Sequence, residues 1–305
     1  MTNGYHIPVL LKEAVDGLAI KKGGRYVDVT FGGGGHSQEI LTHLEGGELI
    51  AFDRDPEAKQ NLIADERLTL VPSDFLFIEE VLEMKGKVEV DGILADLGIS
   101  SHQIDTPERG FSHRFDGPMD MRMNPSEGQT AADILNAWEM RELVHLFRIY
   151  GEVPNASKLA RIITERRESE EIRNTQQFEA MIQSCIPPKR RAKYLSQVYQ
   201  ALRIEVNGEL ASLEKLLQAA VRLLKPGGRL VVIAYHSLED RMVKRYLRSG
   251  NPSGKVETDI YGRPLSPWKL IVRRAIQPSE EEIEANPRAR SARLRIAERA
   301  LLENK

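Results

Sequence analysis

Four consecutive glycines, Gly32 to Gly35, constrain the fold of this chain more than any other feature. They follow a β-rich run at 25–31 and precede a segment at 36–44 whose apolar side chains have helical spacing. Glycines between a strand and a helix let the backbone turn sharply, and they let a ligand lie against bare main chain. The loop therefore predicts the strand–loop–helix unit of an α/β fold, with a ligand site at the glycines.

The same alternation of strand and helix recurs on both sides of a segment that is poor in strand patterns. Further strands are predicted at 48–53, 68–71, 90–96, 229–235 and 268–276, with helices between them and a terminal helix at 289–302. Short connections between alternating strands and helices predict a parallel sheet with helices on both faces.

The strand-poor segment at 105–206 begins with Gly and Pro signals and continues with helical patterns. We therefore expect two domains: an α/β domain formed by 1–104 and 207–305, and a helical insertion at 105–206. The insertion is expected at a loop that leaves the carboxyl edge of the sheet, where open α/β folds bind ligands.

Composition excludes several classes of protein. No stretch approaches the roughly 20 apolar residues that span a bilayer, and the first residues lack the features of a secretory signal. A single cysteine, Cys185, excludes an internal disulfide, and the seven histidines form no ligand motif. We expect a cytoplasmic protein with no membrane contact and no metal. A net charge of -2 means that any nucleic acid must be bound by local patches.

The glycine loop does not match the nucleotide motifs. The dinucleotide pattern G-x-G-x-x-G would need a glycine at Ser37 or Gln38, and no Gly-Lys-Ser/Thr follows for a phosphate loop. S-adenosylmethionine has no pyrophosphate, but it needs an acid for its ribose hydroxyls. Asp53, which ends the second strand, has the position and chemistry of that acid. The alternative for Asp53 is the N-cap of the following helix.

Two more strand ends supply candidate residues. Phe75 follows the third strand, where an aromatic ring can face adenine, although core packing is the alternative. Asp96 ends the fourth strand, where it can accept the proton of a methylated amine or hold the cofactor; capping of the next turn is the alternative. Carbon methylation would need a nucleophilic cysteine, and we interpret Cys185 as a packing residue instead.

Several stretches, in shared order and spacing, resemble the bacterial small-subunit ribosomal RNA cytosine-N4 methyltransferases of the MraW type. They run almost from end to end of the chain: 6–11 (HIPVLL), 30–37 (TFGGGGHS), 52–56 (FDRDP), 96–101 (DLGISS), 108–112 (ERGFS), 116–123 (DGPMDMRM), 235–241 (YHSLEDR) and 286–290 (NPRAR).

The resemblance implies a Rossmann-like S-adenosylmethionine-dependent methyltransferase sheet with an inserted helical domain for RNA recognition. It implies methyl transfer to the N4 amine of a cytidine in the decoding region of 16S rRNA, in the small subunit or an assembly intermediate, by a monomer or homodimer. The cofactor contacts that it implies are Gly34, Gly35, His36, Asp53, Phe75, Asp96 and Gln103. Many amino-methyltransferases carry Asp/Asn-Pro-Pro-aromatic after the fourth strand, whereas 96–99 reads DLGI, so the residue that stacks on the target base must come from elsewhere.

With RNA as substrate, the stretch at 235–241 gains a role, because it follows the fifth strand and opens onto the same edge. We expect substrate contacts from His236, Ser237 and Arg241, with a capping box of Ser237 and Asp240 as a structural alternative. Basic clusters at 189–193, 273–274 and 288–295 are candidates for phosphate contacts or ordinary solvated faces. A nicotinamide-dependent oxidoreductase and a non-catalytic RNA-binding protein remain alternative functions.

Overall fold

Seven strands form a single sheet in the computed structural model, which describes residues 8–259, 261–262 and 265–300. The strands are β1 (Arg25–Asp28), β2 (Glu48–Phe52), β3 (Leu68–Val71), β4 (Val90–Asp96), β5 (Leu224–Ala234), β6 (Trp268–Leu270) and β7 (Arg293–Arg299). Their order across the sheet is β3-β2-β1-β4-β5-β7-β6. The first five are parallel, and β7 pairs antiparallel with both β5 and β6.

Helices cover both faces of this sheet. One buried core joins alternate side chains of β1, β2, β4 and β5 to α3 (Ile78–Met84), α10 (Glu209–Leu223) and α11 (Ser237–Ser249). The other alternate side chains pack against α1 (Leu11–Leu18) and α2 (Gly35–His43). Strands that are covered on both faces have continuous apolar interiors, as β4 has at 92–95 between its two aspartates. The predicted Rossmann-like α/β fold is confirmed.

The predicted terminal helix at 289–302 is wrong. Residues Pro287–Ser291 form one 3-10 turn, and β7 then inserts between β5 and β6; 301 and 302 lie outside the described residues. The segment RLRIAER alternates charged and apolar side chains at its start, and Leu294 and Ile296 are buried, which is the period of a strand. Its pairing with β5 stabilises it as a strand.

Two other strand predictions differ from the structure at their ends. The late strand predicted at 268–276 stops at Leu270, and Ile276 makes only an isolated bridge to Leu294. The fifth strand begins at Leu224 rather than at 229, because the Lys-Pro-Gly-Gly turn continues the pairing with β4 through a register shift near Val90. The strands at 68–71 and 90–96 have the predicted bounds.

The chain divides into two compact units, Met1–Gly98 with Leu210–Lys305, and Ile99–Glu209. Six helices of the second unit are described: α4 (Ser101–Asp105), α5 (Ala131–Ala137), α6 (Met140–Ile149), α7 (Ala156–Arg166), α8 (Thr175–Ile182) and α9 (Arg191–Asn207). The unit has its own apolar core. The helical pattern at 131–150 is two helices, separated at Trp138, whose backbone is extended. No described helix is long and apolar enough to cross a bilayer.

Candidate functional site

The glycine loop joins the carboxyl end of β1 to the first turn of α2. Gly34 is the N-cap of α2, with φ 77° and no capping side chain. That conformation strains any residue with a Cβ atom. At Gly35 an added Cβ would lie 2.1 Å from Cγ of Pro8, which leaves no room for a side chain. The two glycines therefore keep the main chain bare at the start of this helix.

Asp53, directly after β2, is tied to this loop. Its Oδ2 accepts the N–H of Gly32 at 2.7 Å, and its Oδ1 accepts the N–H of Asp55 at 2.8 Å. The cap of the following 3-10 turn is Asp55, which accepts the N–H of Glu57 at 3.0 Å. The capping alternative for Asp53 is therefore wrong. Its carboxylate is held beside Gly32, the first glycine of the loop.

Burial raises the pKa of Asp53 to about 6, against the opposing effect of the two backbone N–H donors. The nearby carboxylates of Asp55 and Asp28 raise it further. At neutral pH the group is mostly ionised, but it is poorly solvated. Hydroxyl donors from a ligand would stabilise the ionised form.

Phe75 begins a 3-10 turn, Phe75–Phe77, beyond the end of β3. Asp74 caps this turn by accepting the N–H of Leu76 at 2.7 Å, and it also pairs with Arg54 at 2.8 Å. The Phe75 ring packs against the core on one side of the sheet but remains partly exposed. Phe75 therefore packs against the core, as the alternative expects, while part of it stays exposed, and contact with adenine stays a prediction.

Asp96 ends β4 and is held at three points. Its amide N–H donates to Oγ1 of Thr30 at 2.7 Å, and its Oδ1 accepts the hydroxyl of Tyr235 at 2.8 Å. Its Oδ2 lies 3.5 Å from Nδ1 of His36, and 23% of its side chain is exposed. The cap of the next helix is Ser100, so the capping alternative for Asp96 is wrong.

Burial raises the pKa of Asp96 to about 6. Imidazole and hydroxyl groups from His36 and Tyr235 oppose this shift, whereas the carboxyl groups of Asp28 and Glu239 add to it. With a pKa of about 6, Asp96 is mostly ionised at neutral pH and can accept a proton there.

The His36 ring is directed into the protein. Nε2 lies 3.2 Å from the carbonyl oxygen of Val9, and Nδ1 faces Asp96. A carbonyl oxygen only accepts, so Nε2 carries a hydrogen. The cofactor contact of His36 stays a prediction, and its main chain is the group available to make it.

Two groups beside Asp96, Asp28 and Tyr235, have no individual role among the predicted site residues. Asp28 is fully buried at the end of β1 and accepts the hydroxyl of Ser37 at 2.7 Å. Tyr235 was singled out only as part of a motif, yet its hydroxyl contacts Asp96. The available signal was a polar group at the end of each of these buried strands.

Gln103 lies in the second compact unit and has a local structural role. With Ser100 it forms the capping box of α4, in which Oε1 of Gln103 accepts the N–H of Ser100 at 3.1 Å. Its side chain is buried. The cofactor contact that the resemblance implies for Gln103 stays a prediction.

His236, Ser237 and Arg241 lie at the start of α11. The N-cap is His236, in a reciprocal arrangement with Glu239, so the predicted box of Ser237 and Asp240 is wrong by one residue. Asp240 instead pairs with Arg295 at 2.7 Å. Only 8% of the His236 side chain is exposed. Ser237 and Arg241 are exposed on one side of the helix, four residues apart, and all three substrate contacts stay predictions.

Some of the cations in the basic clusters are neutralised by ion pairs with acids of the same chain. Arg191 pairs with Glu179, and Arg295 with Asp240. The exposed cations of these clusters include Lys189, Arg190 and Lys193 in one compact unit and Arg273 and Arg274 in the other. Cys185 is buried in the core of its unit, which confirms its interpretation as a packing residue.

Comparisons with known proteins place the chain among methylases. The model of the MraW methylase family matches residues 3–300. "Ribosomal RNA small subunit methyltransferase H" of Bacteroides thetaiotaomicron is 53% identical over 296 residues, which are 97% of each chain. The protein of the same name from Cytophaga hutchinsonii is 52% identical over 297 residues, 97% of this chain and 99% of that one.

A more distant similarity links the chain to a solved structure. An rRNA methylase from Streptococcus thermophilus is 13% identical, with 97% of this chain and 100% of that chain covered and a TM-score of 0.41. This similarity is too low to add to the assignment, which rests on the family model and on the relatives with about half of their residues identical.

Proposed function

The chain belongs to the MraW methylase family, and we propose that it transfers a methyl group from S-adenosylmethionine to the N4 amine of a cytidine in the decoding region of 16S rRNA. Its relatives are named for methylation of small-subunit ribosomal RNA, and family membership decides against a nicotinamide-dependent oxidoreductase. The observation that carries the N4 assignment is the partly exposed Asp96 carboxylate, held by Tyr235 at the end of β4.

S-adenosylmethionine is the methyl donor, and the groups around the glycine loop fit it. When bound, it supplies a methyl group already activated by a sulfonium centre. Asp53 is fixed by two backbone N–H groups and retains lone pairs that can accept from vicinal ribose hydroxyls. Gly34 and Gly35 keep main chain bare for the methionine part, and the exposed side of Phe75 is available to adenine.

Methylation of an exocyclic amine needs a proton acceptor on the enzyme and does not need an enzyme nucleophile. The N4 lone pair of cytosine is delocalised into the ring, and an acceptor on its N–H group localises that lone pair on nitrogen. Asp96 then takes the N4 proton. Methylation at carbon C5 would need a thiolate, and burial raises the pKa of the Cys185 thiol within an apolar core.

The RNA must present the target base outside its stack, since N4 is inaccessible to the methyl group in stacked RNA. The exposed cations on the unit Ile99–Glu209, such as Lys189 and Arg190, support a role for that unit in RNA recognition. Ser237 and Arg241 are exposed at the start of α11, three and seven residues beyond the end of β5, where contacts with the extruded nucleotide are expected.

The proposal extends to the form of the substrate, the oligomeric state of the enzyme and its location in the cell. We expect the substrate to be the small ribosomal subunit or an intermediate of its assembly, and the enzyme to act as a monomer or homodimer. A cytoplasmic location, where ribosomal subunits are assembled, stays a prediction.

The proposal is tested with labelled S-adenosylmethionine and small ribosomal subunits that lack modification. The RNA is digested and the labelled nucleoside is identified; we expect N4-methylcytidine. Label should be lost in Asp53→Ala and Asp96→Ala and kept in Glu83→Ala, an exposed acid on α3 that serves as control.

Other outcomes would separate the parts of the proposal. Label in another nucleoside would leave the fold and cofactor standing and overturn the target. Absence of label from any RNA, with intact S-adenosylmethionine binding, would favour a non-catalytic RNA-binding protein.

A further inference from the structure

The end of β5 lies beside the end of β4, and this register brings Tyr235 to Asp96. Asp96 is paired with Ile233, and the N–H of Leu97 donates to the carbonyl of Ile233 at 2.9 Å. Tyr235 follows two residues later, and its hydroxyl donates to Oδ1 of Asp96 at 2.8 Å. The contact joins two groups that are 139 residues apart in sequence.

The Tyr235 ring is fixed from several directions. Its backbone N–H donates to Oε2 of Glu239 at 2.9 Å, and its ring packs against the core on the α1 and α2 side of the sheet. At Gly98, where φ is 108°, a Cβ atom would lie 3.3 Å from Cδ2 of the ring. These contacts orient the tyrosine hydroxyl toward Asp96, in addition to the hydrogen bond with Asp96 itself.

We propose that Tyr235 is a positioning residue for methyl transfer, which holds the Asp96 carboxylate in one orientation and keeps it ionised for the proton that it accepts. This inference rests on the proposed function. In the step concerned, the N4–CH₃ bond forms as the S–CH₃ bond breaks, the sulfonium becomes a neutral thioether, and one N4 proton passes to Asp96. Without the Tyr235 hydroxyl the carboxylate would lose a contact that aligns it, and its ionised form would lose a stabilising donor.

Several titratable groups surround Asp96 and Tyr235 and act on the pKa of each. Asp96 faces His36 from α2, Asp28 from β1 and Glu239 from α11. Tyr235 faces Glu239 and also Glu282, which lies in α12 (Glu280–Ala285).

Burial is the main cause that raises the pKa of Asp96; the His36 imidazole and the Tyr235 hydroxyl lower this pKa, and the two neighbouring acids add to the increase. Removal of the hydroxyl should therefore raise the pKa of Asp96 above its value of about 6.

The test compares Tyr235→Phe with Tyr246→Phe, which removes the hydroxyl of another buried tyrosine of the same unit. We expect Tyr235→Phe to lower kcat by about tenfold to a hundredfold. The Kd for S-adenosylmethionine should stay within about twofold, and the acid limb of the kcat–pH profile should move to higher pH. Tyr246→Phe should leave the profile unmoved.

A second variant keeps the test valid if Tyr235→Phe does not fold. Replacement of Tyr235 by 3-fluorotyrosine keeps the ring and makes the hydroxyl a stronger donor, so the acid limb should move to lower pH. Opposite shifts for the two variants would support the proposal.

A wild-type kcat in Tyr235→Phe, or a loss of activity with an unmoved acid limb, would overturn it. Failure of the proposed function is a separate result, read from the identity of the labelled nucleoside in the wild-type protein.

Discussion

Oδ2 of Asp53 accepts the N–H of Gly32 at 2.7 Å, which fastens the end of β2 to the glycine loop. The loop and the acid are therefore one structural unit, although 21 residues separate them in sequence. Changes at either one should therefore disturb the cofactor loop and weaken cofactor binding, because the Asp53 side chain is the acceptor that joins the two.

Replacement of Asp53 by Ala should weaken S-adenosylmethionine binding by about tenfold to a hundredfold, since it removes a charged acceptor for ribose hydroxyls. Asp55→Ala is the matched control. It removes a cap, which should cost about 1 kcal/mol of stability, and it should leave the Kd nearly unchanged. Isothermal titration calorimetry measures the Kd of each variant for S-adenosylmethionine. Equal weakening in the two variants would exclude a specific role for Asp53.

Cofactor affinity should fall in acid. Burial raises the pKa of Asp53 from 3.8 to about 6, so the carboxylate is ionised above pH 6 and gains a proton as pH falls through that value. The protonated group is a weaker acceptor, and the Kd for S-adenosylmethionine should increase between pH 7.5 and pH 5. Asp53→Asn should show a flatter profile, and a wild-type Kd that is constant over this range would contradict the assignment.

Asp96→Asn should stabilise the cofactor-free protein while abolishing methyl transfer. The pKa of Asp96 is higher in the folded state than its ordinary value of 3.8, so ionisation destabilises the fold at pH 7 and the cost disappears as pH falls toward 4. The gain at neutral pH is on the order of 1–3 kcal/mol, and it should shrink in acid. Denaturant unfolding at pH 7.5 and pH 5 measures it, and a less stable variant at pH 7.5 would refute the prediction.

Alanine variants of two glycines with positive φ distinguish backbone strain from a direct effect on cofactor binding. Gly34→Ala and Gly46→Ala each place a Cβ at positive φ, 77° and 69° respectively, at a cost of about 1–2 kcal/mol. Gly46 has open space around it, whereas a Cβ at Gly34 would lie 3.1 Å from the Phe31 ring in the candidate cofactor loop. Only Gly34→Ala should weaken S-adenosylmethionine binding; similar losses in both would point to a general effect of instability.

Local patterns were sufficient for the parallel half of the fold. Buried apolar runs such as 90–96, and the glycines at 32–35, predicted strands and a ligand loop because each signal lies within a few residues. The strand β7 was missed, because a short alternating segment has no fixed state until a distant strand pairs with it. The contact between Tyr235 and Asp96 depends on the register of β4 and β5, which no local pattern encodes.

Capping was the least predictable part of the site. Asp53, Asp96 and Ser237 all had the chemistry of caps, yet the structure uses Asp55, Ser100 and His236. A shift of one to four residues decides which side chain bonds to the backbone of the helix and which is left to bind a ligand. Such a shift depends on where the strand ends, and that is set by its neighbours in the sheet.

The most direct test is single-turnover methyl transfer to unmodified small ribosomal subunits, with S-adenosylmethionine bound beforehand and the product nucleoside identified by mass spectrometry. The account predicts N4-methylcytidine from the wild-type protein. It also predicts a rate about a hundredfold lower in Asp96→Asn, measured with saturating S-adenosylmethionine. A wild-type rate in Asp96→Asn, or a product methylated at another atom, would contradict it.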